Sequence, residues 1–273
     1  MANKEDKKNS NSSWRIKNLA KSSTLNLKDS VLIEGLPGIA NVGKIAIDFI
    51  IAQKKAKKIA EFLSYDLPHS VFIKENNLVE LPKIELYLLN KTKKMKDNLL
   101  LLSGDVQPSN ERPCYEFCEM LIDYTKKLGC KEIVTTGGIG LPKIPKSPKI
   151  YCTANNKQII KKYKEIVKIN DKTYGVVGPI VGVTGLLVGI ASEHKIPAIA
   201  LLTETFAHPM YLGMSSARNL LNVLNQMFCL EIDMNNLDKE IEDLENEIMS
   251  RVEQLKQIKD NQGKKDHKLN YIG

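Results

Sequence analysis

A glycine-rich turn between an apolar run and a helical pattern constrains this chain more than any other stretch. The apolar run is Val31–Glu34, and the turn Gly35–Gly43 follows it directly. Ile45, Ala46 and Phe49 then recur at helical spacing. A strand that passes through a tight glycine turn into a helix is the building unit of proteins in which helices cover a sheet. The sequence therefore predicts the α/β class.

The same turn resembles a nucleotide-binding loop. Gly38 to Lys44 has the spacing G-x-x-x-x-G-K, but Ile45 follows, where such a loop uses a Ser or Thr hydroxyl to bind magnesium. Asp105, after an apolar run, fits an acidic partner for this loop, although that pattern is common in α/β proteins. Because an isoleucine offers a metal ion no ligand, we expect no nucleoside triphosphate hydrolysis. A tight turn whose glycines permit close packing is the favoured interpretation.

Short apolar runs alternate with helical patterns along the chain, which predicts a mixed sheet flanked by helices. The predicted strands are Val31–Glu34, Glu61–Leu63, Val71–Lys74, Ile84–Asn90, Asn98–Ser103, Glu132–Thr136, Ile150–Thr153 and Ala198–Leu202. The predicted helices are Val42–Lys54, Tyr115–Leu128, Asn156–Tyr163, Gly185–His194 and Ser215–Phe228.

Two further glycine clusters lie where a predicted strand meets a loop. Ligands of open α/β sheets bind beyond the carboxyl ends of strands, so the three clusters are candidates to line one crevice. The crevice residues would be Gly35, Gly38, Gly43, Gly137, Gly138, Gly140, Gly182, Gly185 and Glu204. The alternative is that small residues let the helix Gly185–His194 lie tightly against the sheet. Glu204 and His208 are a candidate base and orienter, but no nucleophile is identified beside them.

Composition argues against several classes of function. The net charge of +8 is spread over lysines in loops and termini, and aromatic residues are only 6% of the chain, so we expect no nucleic-acid partner. Five cysteines without a C-x-x-C pair predict buried free thiols, no metal and no cofactor. The longest apolar stretch, Tyr174–Ser192, holds five glycines and a proline, which is too broken for a membrane span. We therefore expect a cytoplasmic protein with no membrane partner.

Four ordered blocks resemble archaeal proteins of the proteasome assembly chaperone 2 family. They are Gly35–Gly43, Thr136–Gly140, Gly182–Leu187 and Leu201–Thr205, and the resemblance extends from about Val31 to Ile232. It implies a mixed sheet between helices, similar to the fold of purine nucleoside phosphorylases, without that enzyme's function. It also implies a self-associating, non-enzymatic protein that binds the proteasome core particle as an assembly chaperone or activator. A nucleoside phosphorylase-like or small-ligand-binding enzyme that uses the glycine-rich crevice is the alternative.

The resemblance also implies a docking role for the end of the chain. Some family members end in a hydrophobic residue, a tyrosine and any residue, and this signature inserts between adjacent α subunits of the core particle. Here the candidate docking residues are Leu269, Tyr271, Ile272 and Gly273. The match is shifted by one position, because Ile272 stands where the signature has tyrosine and Tyr271 stands in the hydrophobic position.

The segment before this tail has a different pattern from the α/β region. Seven aliphatic residues recur every three or four positions among charged ones, which predicts a coiled-coil-like helix that supports a homo-oligomer. They are Leu237, Ile241, Leu244, Ile248, Val252, Leu255 and Ile258. The chain is therefore divided into a flexible start with an edge segment at its end (1–28), an α/β domain (29–233), a C-terminal helix (234–262) and a flexible tail (263–273).

Overall fold

The computed structural model describes residues 13–20, 27–73, 77–175 and 177–234. The chain divides into two compact units, Met1–Ile232 and Asp233–Gly273, and the strands and helices named below all belong to the first. The aliphatic stripe of residues 237–258 and the docking residues of the tail lie outside the described residues.

Ten strands are present in the described part of the chain. They are β1 (Trp14–Asn18), β2 (Ser30–Glu34), β3 (Lys57–Ser64), β4 (Phe72–Ile73), β5 (Val79–Glu80), β6 (Ile84–Leu89), β7 (Leu99–Gly104), β8 (Cys130–Leu141), β9 (Ile150–Ala154) and β10 (Ala198–Phe206). Five α-helices accompany them in these residues, and none is long and apolar enough to cross a membrane. They are α1 (Val42–Lys54), α2 (Glu111–Lys127), α3 (Lys157–Lys164), α4 (Val183–Glu193) and α5 (Met214–Phe228).

Eight of these strands form one mixed sheet in the order β1-β3-β6-β7-β2-β8-β10-β9. The four central strands β7, β2, β8 and β10 are parallel to their neighbours within this group. The outer strands β1, β3, β6 and β9 pair antiparallel. This confirms the predicted mixed α/β fold, and it brings the ends of β2, β8 and β10 to the same edge of the sheet.

Helices cover the central strands on both faces. Helix α1 packs against α5, and α2 packs against α4. Because β2 and β7 are covered on both sides, all of their residues are buried, as expected for central parallel strands. Helix α2 instead buries one stripe of residues three or four apart, including Phe117 and Leu121.

The edge strand β1 lies within the segment 1–28 that the sequence analysis treats as a flexible start leading to an edge segment. Trp14 is buried, its ring centroid lies 4.6 Å from that of Phe117, and its indole N–H donates to the backbone oxygen of Pro113 at 2.9 Å. Residues 14–18 are thus anchored by packing on α2 in addition to their pairing with β3. The signal in the sequence is the alternation of Trp14 and Ile16 with charged residues.

Candidate functional site

The glycine turn after β2 starts at a buried carboxylate. Glu34 is the last residue of the central strand β2, and its side chain is completely buried. One carboxylate oxygen accepts a hydrogen bond from the backbone N–H of Leu36 at 2.9 Å. The other accepts from the backbone N–H of Thr136 at 3.4 Å and from the hydroxyl of Thr184 at 3.2 Å. This one side chain therefore connects the turn, strand β8 and helix α4.

Burial dominates the ionisation of Glu34. Removal from water raises the pKa of this carboxyl to about 7, although the hydrogen bonds from Leu36, Thr136 and Thr184 favour the charged form. The hydroxyl of Thr184 also lies 3.4 Å from the backbone oxygen of Thr136. In the neutral state the carboxyl can donate to Thr184, which in turn donates to Thr136. The site therefore has hydrogen-bond partners for Glu34 in both protonation states.

Glycines bring the turn and two helices close to strand β8. A β-carbon on Gly43, in the first turn of α1, would lie 2.7 Å from the backbone oxygen of Thr136. One on Gly137 would lie 3.4 Å from the Thr184 side chain, on the α4 side of the sheet. One on Gly185 would overlap the backbone oxygen of Ile180. Strand β8 is thus held between the starts of α1 and α4, as in the close-packing alternative.

Gln107 joins two of the loops at this edge. Its side-chain nitrogen donates to the backbone oxygen of Pro37 at 2.6 Å, and its side-chain oxygen accepts from the N–H of Val183 at 3.3 Å. Helix α4 begins at Gly182 without a side-chain cap from that residue. Gln107 therefore satisfies one of the N–H groups that a helix leaves free at its start.

The turn itself contains two residues with left-handed backbone. Ala40 and Asn41 have φ values of 52° and 53° within the short 3-10 turn Ile39–Asn41 and its junction with α1. Non-glycine residues adopt this conformation at an energetic cost, so surrounding contacts must hold it. The N–H of Gly213 donates to the backbone oxygen of Ala40 at 2.8 Å, which ties the turn to the loop before α5.

The residues of the nucleotide-loop pattern have other partners. The Lys44 ammonium lies 2.7 Å from a carboxylate oxygen of Asp48, one helical turn onward, and Ser103 donates to the second oxygen of Asp48. Asp105 accepts from the backbone N–H of Lys83 at 3.3 Å. Lys44 is therefore committed to the side of α1 and not to the turn, where a phosphate-binding lysine is needed.

The structure does not bring all the predicted crevice residues together. Gly35, Gly43, Gly137 and Gly185 lie on the segments that Glu34 connects, and Gly182 contacts Gln107. Gly138 and Gly140 contact Ile39 and Ala207 at the outer end of β8, and nothing lies within 4 Å of a β-carbon on Gly38.

Glu204 is directed toward the outer strand β9 and away from Glu34. Its carboxylate accepts from the backbone N–H of Lys149 at 3.0 Å and from the hydroxyl of Tyr151 at 3.2 Å. His208 stacks on Phe206 and lies 3.2 Å from the backbone N–H of Met210. Glu204 and His208 thus have separate partners, and the candidate base and orienter pair is not formed.

Sequence patterns miss Glu34 and Gln107, the two side chains that organise this site. The sequence analysis places Glu34 only at the end of an apolar run. A charged residue that ends such a run directly before a glycine turn is the signal that points to it. Gln107 lies in a loop without any pattern, so the sequence offers no comparable signal for it.

The cysteines form no disulfide in the described residues. Cys114, Cys118, Cys130 and Cys152 are buried, as expected, whereas Cys229 is exposed at the end of α5, which corrects the prediction for that residue. In the same part of the chain, no group of three or more His, Cys, Asp or Glu residues is arranged to hold a metal ion.

These features define an α/β domain whose strand ends are closed by glycine packing around a buried carboxylate. The model of the PAC2 family matches residues 32–252. The chain therefore belongs to the PAC2 family, which confirms the resemblance found in the sequence.

Three relatives show the range of similarity. The uncharacterized protein MJ1210 of Methanocaldococcus jannaschii is 30% identical over 90% of this chain and 93% of its own length. The crystal structure of PbaB of Pyrococcus furiosus, an archaeal proteasome activator, is 31% identical with a TM-score of 0.79, covering 88% of this chain and 99% of PbaB. PbaA of the same organism, an archaeal homolog of proteasome-assembly chaperone, is 22% identical with a TM-score of 0.70, covering 91% and 96%, and supports the fold alone.

Proposed function

We propose that this protein binds the proteasome core particle in the cytoplasm and acts on it as a non-enzymatic assembly chaperone or activator. The observation that carries the proposal is the similarity to PbaB, an archaeal proteasome activator, in both sequence and structure over most of the chain. Membership of the PAC2 family agrees with it.

The geometry at the strand ends supports a non-enzymatic role. Glu34 is completely buried and has hydrogen-bond partners within the protein, so it does not face a substrate. Lys44 is paired with Asp48, and protein atoms fill the space beside Gly43 and Gly185. The residues that resemble a nucleotide loop therefore serve packing, which favours a binding protein over the enzyme alternative.

In this proposal the tail makes the contact with the core particle. Leu269, Tyr271, Ile272 and Gly273 dock between adjacent α subunits, and the aliphatic stripe of residues 237–258 holds copies of the protein together. Tyr271 and Ile272 provide the apolar groups that such a pocket would bury. Multiple copies would present several tails at once, and linked binding sites raise the overall affinity without any new contact.

Removing residues 269–273 tests this contact. We expect the full chain to capture core particles in a pull-down and the shortened chain to bind at least tenfold more weakly, because burying each apolar side chain contributes about 1.5–3 kcal/mol and about 1.4 kcal/mol is a factor of ten. Asn270→Ala is the matched control within the tail and should retain binding. Equal binding by the shortened chain would place the contact on the α/β domain, and failure of the full chain to bind would contradict the proposed function itself.

Nucleotide turnover separates this proposal from the enzyme alternative. We expect the purified protein to release no phosphate from ATP with or without magnesium, because Ile45 stands where a metal-binding hydroxyl is required and Lys44 is held by Asp48. Lys44→Ala is the control for contaminating activity. Magnesium-dependent turnover that Lys44→Ala abolishes would restore the enzyme alternative.

A further inference from the structure

A small hairpin extends from the main sheet between β3 and β6. Its strands β4 and β5 form a separate two-stranded sheet, in which Ile73 lies opposite Val79 and Phe72 lies opposite Glu80. Alternate residues of a strand point to the same side, so Ile73 and Val79 share one face with Val71 and Leu81. We call these four residues the hairpin face.

The hairpin face is exposed despite being entirely aliphatic. Its four side chains are between 51% and 75% exposed, although they all belong to residue types that usually lie in the core. A two-stranded hairpin is only marginally stable in water unless it packs against something. Contiguous exposed apolar residues on a folded protein mark interaction sites. The hairpin face therefore needs a covering surface.

Charges near the hairpin lie on its other side. Glu80, opposite Phe72, pairs with the ammonium of Lys83 at 3.1 Å, and Lys83 also lies 3.4 Å from Glu85. The hairpin face itself contains no charged, polar or aromatic side chain. A complementary surface must therefore be aliphatic too, since a charged or polar group buried against it would lose its hydrogen bonds to water.

We propose that the hairpin face packs on the hairpin face of a second copy of this chain. A two-fold contact requires a patch that is complementary to itself, and an uncharged aliphatic patch meets that condition. Interfaces between identical chains are also more apolar than those between different proteins, whose central residues are enriched in aromatic side chains and arginine.

The size of the patch is consistent with the centre of such an interface. A stable interface buries about 800 Å² on each partner, with an apolar centre and a polar rim. The hairpin face supplies the apolar centre, and the polar residues Asp66 and His69, which precede the hairpin, supply part of a rim. This contact is separate from the aliphatic stripe of residues 237–258 and does not depend on the proposed role at the proteasome.

Cross-linking of the full chain tests the contact directly. In a Cys229→Ser background, which removes the exposed thiol, Val79→Cys places one accessible thiol in the hairpin face. A two-fold contact brings the introduced thiols of two copies together, so a short bismaleimide should link them. Tyr174→Cys in the same background is the matched control, because Tyr174 is fully exposed and lies outside the hairpin. We expect at least fivefold more covalent dimer from Val79→Cys than from Tyr174→Cys, and equal yields would overturn the proposal.

A second measurement identifies the occupant. Ile73→Lys in the full chain should lower the mass measured by sedimentation, because two lysines would then face each other across the two-fold axis, while circular dichroism shows an unchanged fold. If Ile73→Lys keeps the mass of the parent protein but loses binding to core particles, the hairpin face covers a partner protein and the proposal is wrong. A reduced mass with core-particle binding retained supports it and leaves the proposed function standing.

Discussion

Replacing Glu34 by Gln should change how the stability of this protein depends on pH. We expect the free energy of unfolding of the parent protein to fall, relative to that of Glu34→Gln, by roughly 2–3 kcal/mol between pH 5 and pH 8. The cause is the raised pKa of this buried carboxyl, about 7 in the folded protein against an ordinary value of 4.5. Glutamine is similar in shape and is neutral throughout this range.

The sign follows from proton binding. Between pH 4.5 and pH 7 the folded protein holds a proton on Glu34 that the unfolded chain releases, so each rise in pH favours unfolding. The stabilisation of the neutral carboxyl is fully present below pH 4.5 and is lost as the pH rises through about 7. Above that pH the folded protein contains a buried carboxylate that is satisfied only by Leu36, Thr136 and Thr184.

Urea unfolding at pH 5, 6, 7 and 8 measures this effect. Glu204→Gln is the matched control, because it removes a carboxylate from the end of another strand of the same sheet. The difference between Glu34→Gln and the parent protein should vary with pH, and that of Glu204→Gln should vary much less. A constant difference for Glu34→Gln would mean that its carboxyl titrates near its ordinary pKa.

Gly43→Ala should destabilise the protein by about 2 kcal/mol. The added methyl group would lie 2.7 Å from the backbone oxygen of Thr136 and 3.1 Å from its carbonyl carbon, so backbone must move. Overpacking of this kind costs about 1–3 kcal/mol and occasionally more. Alanine in a helix is favoured over glycine by about 1 kcal/mol, which offsets part of the loss. The net sign therefore depends on the close approach of α1 to β8.

Gly38→Ala is the matched control in the same turn. Gly38 has an extended backbone, and no atom lies within 4 Å of the position of its β-carbon. Its free energy of unfolding should change by less than about 0.5 kcal/mol. Thermal or urea unfolding of both variants measures the pair. Equal effects would show that Gly43 is not limited by contact with Thr136.

Elements with a strong apolar period are predictable from the sequence. Helix α1 has the predicted bounds Val42–Lys54, because its apolar positions recur at helical spacing and the glycine turn fixes its start. The sequence predicts strand β8 as Glu132–Thr136, but the strand continues to Leu141. Its last residues include three glycines, which have little strand propensity of their own. They extend the strand because β10 pairs with them along its whole length.

The candidate site is less accessible to sequence reasoning. The glycine clusters point to the correct edge of the sheet, since they mark the places where backbone segments approach closely. The role of Glu34 depends on Thr136 and Thr184, which are far apart in the sequence and meet only in the folded protein. The hairpin of β4 and β5 is predicted only in part, because strands of two residues are too short to show a period.

The position of β2 in the sheet also has a consequence for synthesis of the chain. Strand β2 precedes both of its neighbours, β7 and β8, and is apolar along most of its length. When the chain leaves the ribosome from its N-terminus, β2 emerges first and stays unpaired until the ribosome has also released β8. Unpaired apolar strands are prone to aggregate during folding. A protein of this fold therefore depends on protection of its own nascent chain before its central sheet can form.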